Sequence, residues 1–143
     1  MILDKGNLVS SAQAVTSSAG STDVIDLSQA RAIGDGEELE FFVNVDTAAT
    51  AAGAATVTFQ VQTDDNSAFS SPTTVIQTDA IPKATLVAGY QIKIPLPDGA
   101  TPERYLRLYY SVATGPLTAG AFTAGLVLNV QNSRAYPSGY TIA

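Results

Sequence analysis

The chain of 143 residues carries 13 acidic and 7 basic side chains, a formal net charge of −6, and only 14% of it is charged against 45% hydrophobic. An ordinary domain is about 25% charged, so charge has been displaced by small residues: 22 Ala, 16 Thr and 12 Ser. With no His and no Cys, Ser-His-Asp and Cys-His catalysis, imidazole or thiolate metal sites and a disulfide framework are excluded, which leaves carboxylates, Lys, Tyr or a cofactor for any chemistry.

Residues 1–20 are polar and small and read as an N-terminal arm, with a short strand at 14–16 and no apolar run long enough for a signal-peptide core. A second short strand is expected at 23–27, one helical turn at 28–33 and a turn at Gly34-Asp35-Gly36. Leu39, Phe41, Val43 and Val45 then alternate with Glu40, Phe42 and Asn44, the period of a strand with one apolar and one mixed face. An Ala-rich loop at 47–55, interrupted by Gly53, leads to Val57, Phe59 and Val61 alternating with Thr56, Thr58, Gln60 and Gln62. Asp64-Asp65-Asn66 is a turn, followed by a short strand at 74–78.

Tyr90, Ile92, Ile94 and Leu96 alternate with Gln91, Lys93 and Pro95; Pro95 and Pro97 cannot donate ladder hydrogen bonds, so this strand belongs at a sheet edge. After the Pro97-Asp98-Gly99 turn, Leu106, Leu108, Tyr110 and Val112 face one way while Tyr105, Arg107, Tyr109 and Ser111 face the other, placing two aromatics around a cation. Thr114-Gly115-Pro116 turns the chain into the last long strand, where Phe122, Ala124, Leu126, Leu128 and Val130 alternate with Thr123, Val127 and Asn129. The tail from 131 to 143 holds Arg134, Tyr136, Pro137, Tyr140 and Ile142, side chains that suit a contact with the chain's own domain or a neighbour.

About eight strands and almost no helix make this an all-β protein, an antiparallel β-sandwich of jelly-roll-like type with extended terminal arms. The expected organisation is an arm at 1–20, a sandwich at 21–131 and an arm at 132–143. No stretch approaches the 18 apolar residues of a membrane span, and the seven bases are scattered, so neither a membrane nor a nucleic acid is expected as a direct partner.

No chemical constellation is strong. Asp35, Glu37, Glu38 and Glu40 lack calcium-loop spacing and alternate between faces, and Asp64 with Asp65 is first of all a turn. Gly115 to Gly120 has phosphate-loop glycine spacing but continues with Ala121 and Phe122 in place of Lys and Ser or Thr. No enzyme activity, cofactor or metal is therefore expected. Tyr and Arg are enriched where proteins touch, which makes Tyr105, Arg107 and Tyr109, with Arg134, Tyr136, Pro137, Tyr140 and Ile142 of the tail, the candidate protein-interface residues.

Seven segments in order complete the reading: Gln13-Ala14-Val15-Thr16, Val24-Ile25-Asp26-Leu27, Ala51-Ala52-Gly53-Ala54-Ala55, Gln62-Thr63-Asp64-Asp65-Asn66, Ala68-Phe69-Ser70-Ser71-Pro72, Arg104-Tyr105-Leu106-Arg107-Leu108 and Ala135-Tyr136-Pro137-Ser138-Gly139. Together they resemble the capsid cement (decoration) proteins of tailed bacteriophages, from about residue 10 to the C-terminus. That resemblance implies a jelly-roll-like structural protein on the outer surface of the virion's icosahedral head, added in the host cytoplasm, which joins major capsid protein subunits and resists the pressure of packaged DNA. It also implies a homo-oligomer, a dimer before a trimer, and brings no catalytic motif with it. The alternative reading is a ligand-binding sandwich, a carbohydrate or receptor module using Tyr105 and Tyr109.

Overall fold

The computed structural model describes residues 3–97, 103–128 and 130. Ten strands follow a short 3-10 turn at Lys5–Asn7: β1 Leu8–Ala14, β2 Ala19–Gly20, β3 Ile25–Asp26, β4 Leu39–Thr50, β5 Thr56–Asp64, β6 Thr73–Gln77, β7 Ile81–Pro82, β8 Gln91–Pro95, β9 Tyr105–Ala113 and β10 Ala119–Leu128. They form two antiparallel sheets. Sheet 1 has the order β1-β10-β4-β8; sheet 2 has β2-β9-β5-β6, with β3 also pairing β9 and β7 also pairing β5.

The two short pairs are interrupted single strands. Ser21 links β2 to β3 along β9, its N–H donating to the Leu108 carbonyl and its hydroxyl accepting from the Leu108 N–H. Thr78 does the same between β6 and β7, giving its N–H to the Phe59 carbonyl and accepting the Phe59 N–H on its hydroxyl. Counted this way there are eight strand positions, and the first pairs with the eighth, the second with the seventh, the third with the sixth and the fourth with the fifth. That nested pairing is the jelly roll.

Period-two alternation explains the long strands. On β4, Phe41, Val43 and Val45 are fully buried; on β5, Val57, Phe59 and Val61; on β9, Leu106, Leu108 and Tyr110; on β10, Phe122 and Ala124. Their side chains fill the space between the sheets as one cluster. Strand β8 lies at an edge of sheet 1, as the prolines require.

The short elements differ from expectation for local reasons. The first strand begins at Leu8 rather than at residue 14, and register shifts on both sides of Ser10, with Ala12 in a left-handed conformation at φ 46°, break the alternation that would have marked it. Residues 8–15 of the segment read as an arm thus belong to the sandwich, with Val9 and Val15 buried in its core. No helical turn forms at 28–33: the Asp26 carboxylate accepts the Ser28 N–H at 2.7 Å and Ser28 takes φ 65°, a side-chain-capped turn that diverts the chain.

One polar network lies inside the packing. The buried Tyr110 hydroxyl donates to Ser10 Oγ at 2.7 Å, and Ser10 donates to Gln13 Oε1 at 2.7 Å. Gln13 also accepts the Thr22 N–H and donates to the Gly20 carbonyl, so these bonds tie β1 of sheet 1 to the β2–β3 margin of sheet 2. No buried side-chain polar atom among the described residues lacks a partner.

Candidate functional site

The two outer faces of the sandwich differ. On sheet 1, Phe42 and Val127 point away from the core, yet both are buried, because Val130 packs on them. Val130 is held there by its backbone: its N–H donates to Glu40 at 2.9 Å and its carbonyl accepts from Lys93 at 3.0 Å. At Gly125 a Cβ would lie 3.1 Å from the Asn7 carbonyl and 3.3 Å from Leu3, so only a glycine lets the N-terminal residues cross the sheet this closely. The part of the sheet 1 outer face around Phe42, Gly125 and Val127 is therefore covered by the chain's own segments, while Asp46, Gln91, Lys93 and Pro95 of the same sheet stay exposed.

Sheet 2 presents Tyr105, Arg107, Tyr109 and Ser111 of β9 on its outer side, all partly exposed, beside Thr58, Gln60 and Gln62 of β5. Register places Arg107 opposite Gln62 and Tyr109 opposite Gln60, and Gln60 opposite Gln77 of β6. The side chains form a relay across three strands. Arg107 Nε and Nη2 both donate to Gln62 Oε1, at 3.0 and 2.8 Å; Gln62 Nε2 donates to Gln60 Oε1 at 3.0 Å, and Gln60 Nε2 to Gln77 Oε1 at 2.9 Å.

The Arg107 guanidinium is enclosed above and beside. Its carbon lies 4.0 Å from the centre of the Phe69 ring and 5.2 Å from that of Tyr109, stacking distances for a cation on an aromatic face. A Cβ at Gly20 would come within 3.0 Å of Nη1, so glycine at that position leaves the room the group occupies. Burial pushes the guanidinium's pKa down, and the neighbouring Tyr109 and Asp64 oppose that shift.

Phe69 reaches this position from the β5–β6 loop, in a left-handed backbone conformation at φ 52°, which a bulky side chain rarely adopts and which costs on the order of 1–3 kcal/mol. The loop is fastened from below. Asp64, buried at the end of β5, accepts the Asn66 N–H on one carboxylate oxygen and the Ser71 N–H on the other, both at 2.9 Å. The Asn66 carbonyl then takes the Phe69 N–H. The bond from Asn66 is the main reason the Asp64 carboxyl is held below its ordinary pKa.

Of the interface candidates, Tyr105, Arg107 and Tyr109 share this face, while Arg134, Tyr136, Pro137, Tyr140 and Ile142 lie outside the described residues. Sequence reading missed Phe69, Gln62 and Gln77 as members of the site. Phe69 did leave a signal, as the only aromatic in a loop otherwise built of small and polar residues. At one end of the face Arg104 forms a two-pronged salt bridge with Asp26, 2.9 Å for each contact, and lies 4.9 Å over Tyr105. The carboxylates Asp35, Glu37, Glu38 and Glu40 form no metal-binding group; among the described residues no three His, Cys, Asp or Glu side chains are arranged to hold an ion.

No curated protein sequence matches the chain. The model of the Bbp16 family matches residues 9–126, more than four-fifths of the sequence. Because that span opens at the first buried residue of β1 and closes within β10, taking in both sheets and the whole Arg107 face, the chain belongs to the Bbp16 family.

Proposed function

We propose that the protein is a structural component of a tailed-phage virion that decorates the exterior of the icosahedral head and cements neighbouring major capsid protein subunits. The observation that carries this reading is the outer face of sheet 2, a broad strand surface of Tyr, Arg, Gln, Thr and Ser with little charge to desolvate, whereas part of the sheet 1 outer face is occupied by the chain's own segments. Such residues are those enriched where proteins meet. The resemblance of the seven ordered segments to capsid cement proteins supports the same role.

An external position suits the net charge of −6, since packaged DNA lies on the other side of the shell. Homo-oligomers, dimers in the first place, repeat the contact over the lattice, so interfaces of about 1,600 Å² stabilise a shell without any one of them being tight. No catalytic step, cofactor, membrane or direct nucleic-acid contact enters the role.

Heads prepared with and without the protein and heated in parallel test this. Heads lacking it are expected to release DNA at a lower temperature, measured by nuclease-sensitive DNA or dye access. Identical release curves overturn the reading.

A further inference from the structure

Arg107 is built into its position at a cost and is left chemically incomplete. Its ring partner Phe69 adopts a strained left-handed backbone, Gly20 leaves space for it, and Gln62 fixes its azimuth. Yet both of those hydrogen bonds go to one neutral amide oxygen. An arginine has five N–H donors in a planar fork, so three remain. Among the described residues the salt bridge is made by Arg104 with Asp26, and Asp64, the acid nearest Arg107 in sequence register, has given both its oxygens to the Asn66 and Ser71 N–H groups. Asp64 acts on Arg107 through its charge without a hydrogen bond to it, and a half-buried, preorganised guanidinium that makes no ion pair among the described residues is the complement of a carboxylate.

We propose that Arg107 is the receptor for an Asp or Glu side chain on the surface of the protein against which sheet 2 docks, with Tyr105 and Tyr109 packing beside that carboxylate. This rests on the reading of the sheet 2 face as the contact surface and adds the chemistry of its partner. A protein carboxylate fits better than a small anion, since the guanidinium sits on a strand surface and small-molecule sites are concave. It fits better than a polyanion, since a chain with net charge −6 repels one. With Arg104 paired to Asp26, Arg107 is left among uncharged polar and aromatic side chains and selects a partner patch of the same kind carrying one acid.

The test is binding of the purified full chain to heads stripped of it, at several salt concentrations, for wild type, Arg107→Lys and Arg107→Gln, each first shown to be folded by circular dichroism and thermal unfolding. Wild type is expected to bind. Arg107→Gln is expected to bind about tenfold to a hundredfold more weakly and to lose part of the salt dependence. Arg107→Lys, which keeps the charge without the fork, is expected to recover only part of the affinity. A merely structural role for Arg107 would not change the salt dependence.

Equal binding of all three folded proteins overturns this proposal and leaves the head-decoration reading in place. Wild type that does not bind overturns that reading, and this one with it. Binding of free glucuronic acid to wild type in calorimetry, lost in Arg107→Gln while head binding is unchanged, makes the face a sugar site and also overturns the proposal.

Discussion

Replacing Phe122 by Ala is expected to destabilise the protein by about 3–5 kcal/mol, the cost of removing a large buried aromatic and leaving a void that the surroundings cannot close. Phe122 has no solvent exposure and comes from sheet 1, whereas its two ring partners, Phe59 and Tyr110, face each other across the β5–β9 ladder of sheet 2. It stacks on Tyr110 at 5.4 Å and 19°, and meets Phe59 edge-on at 5.4 Å and 85°; Phe59 and Tyr110 are themselves edge-on at 5.7 Å. The trio is thus the aromatic link between the two layers, and its geometry adds to the area it buries. Equilibrium urea unfolding measures the effect, accompanied by a fall of about 10–20 °C in melting temperature for a chain of this size. Phe122→Leu is expected to cost less than half as much. A loss under about 1 kcal/mol for Phe122→Ala would mean that the sheets are not held through this contact.

Tyr110 predicts how stability changes in alkali. Burial pushes its phenol from 10.0 up to about 12; the Ser10 hydrogen bond pulls it back and Asp46 adds to the rise. The folded chain therefore keeps this proton at pH values where the unfolded chain releases it. Its contribution is fully present below pH 10 and is lost as pH rises from 10 toward 12, a loss of about 2–3 kcal/mol. Tyr110→Phe removes the titrating group. At pH 8 the variant is expected to be less stable by about 1 kcal/mol, because Ser10 loses its donor. Near pH 12 the order reverses and the variant is the more stable protein. Denaturant midpoints of both proteins from pH 8 to 12 check this, and parallel curves would contradict it.

The parts of the fold legible in the sequence are those in which one local pattern decides. Strands β4, β5, β9 and β10 show their period because each turns one apolar face to the opposite sheet, and the prolines at 95 and 97 mark β8 as an edge; the pattern ends before Leu128, which is exposed, and Val130, which packs with Phe42 and Val127 on the outer face. Strand β1 hides behind two register shifts and the left-handed Ala12. Strands β2, β3 and β7 are two-residue pairings, visible only once the neighbouring long strand is in place. Terminal segments look like arms when nothing in their composition says what they cover, and only Gly125 and Phe42, far away in sequence, create the surface on which Leu3 and Val130 rest.

The same division holds at the site. Period two alone places Tyr105, Arg107 and Tyr109 on one outer face. What completes the site is long-range: Gln62 through β-register, Gly20 through close approach, and Phe69 through a loop whose shape follows from the Asp64 carboxylate. The low charge of the composition takes on meaning there. The outer side of sheet 2 carries Thr58, Gln60, Gln62, Ser111 and two tyrosines around Arg107, a surface inexpensive to strip of water and specific through that guanidinium, the neighbouring Arg104 being paired with Asp26.

An electron-microscopy map of the phage particle, at a resolution that places both sheets, decides whether sheet 2 is the surface by which this protein holds the head. Jelly-roll density is expected on the outside of the head, bridging capsid subunits, with Arg107 and the outer face of sheet 2 turned toward the protein it joins. Density inside the shell, no such density, or a bound protein that turns the outer face of sheet 1 toward its neighbours and leaves Arg107 in solvent would contradict it.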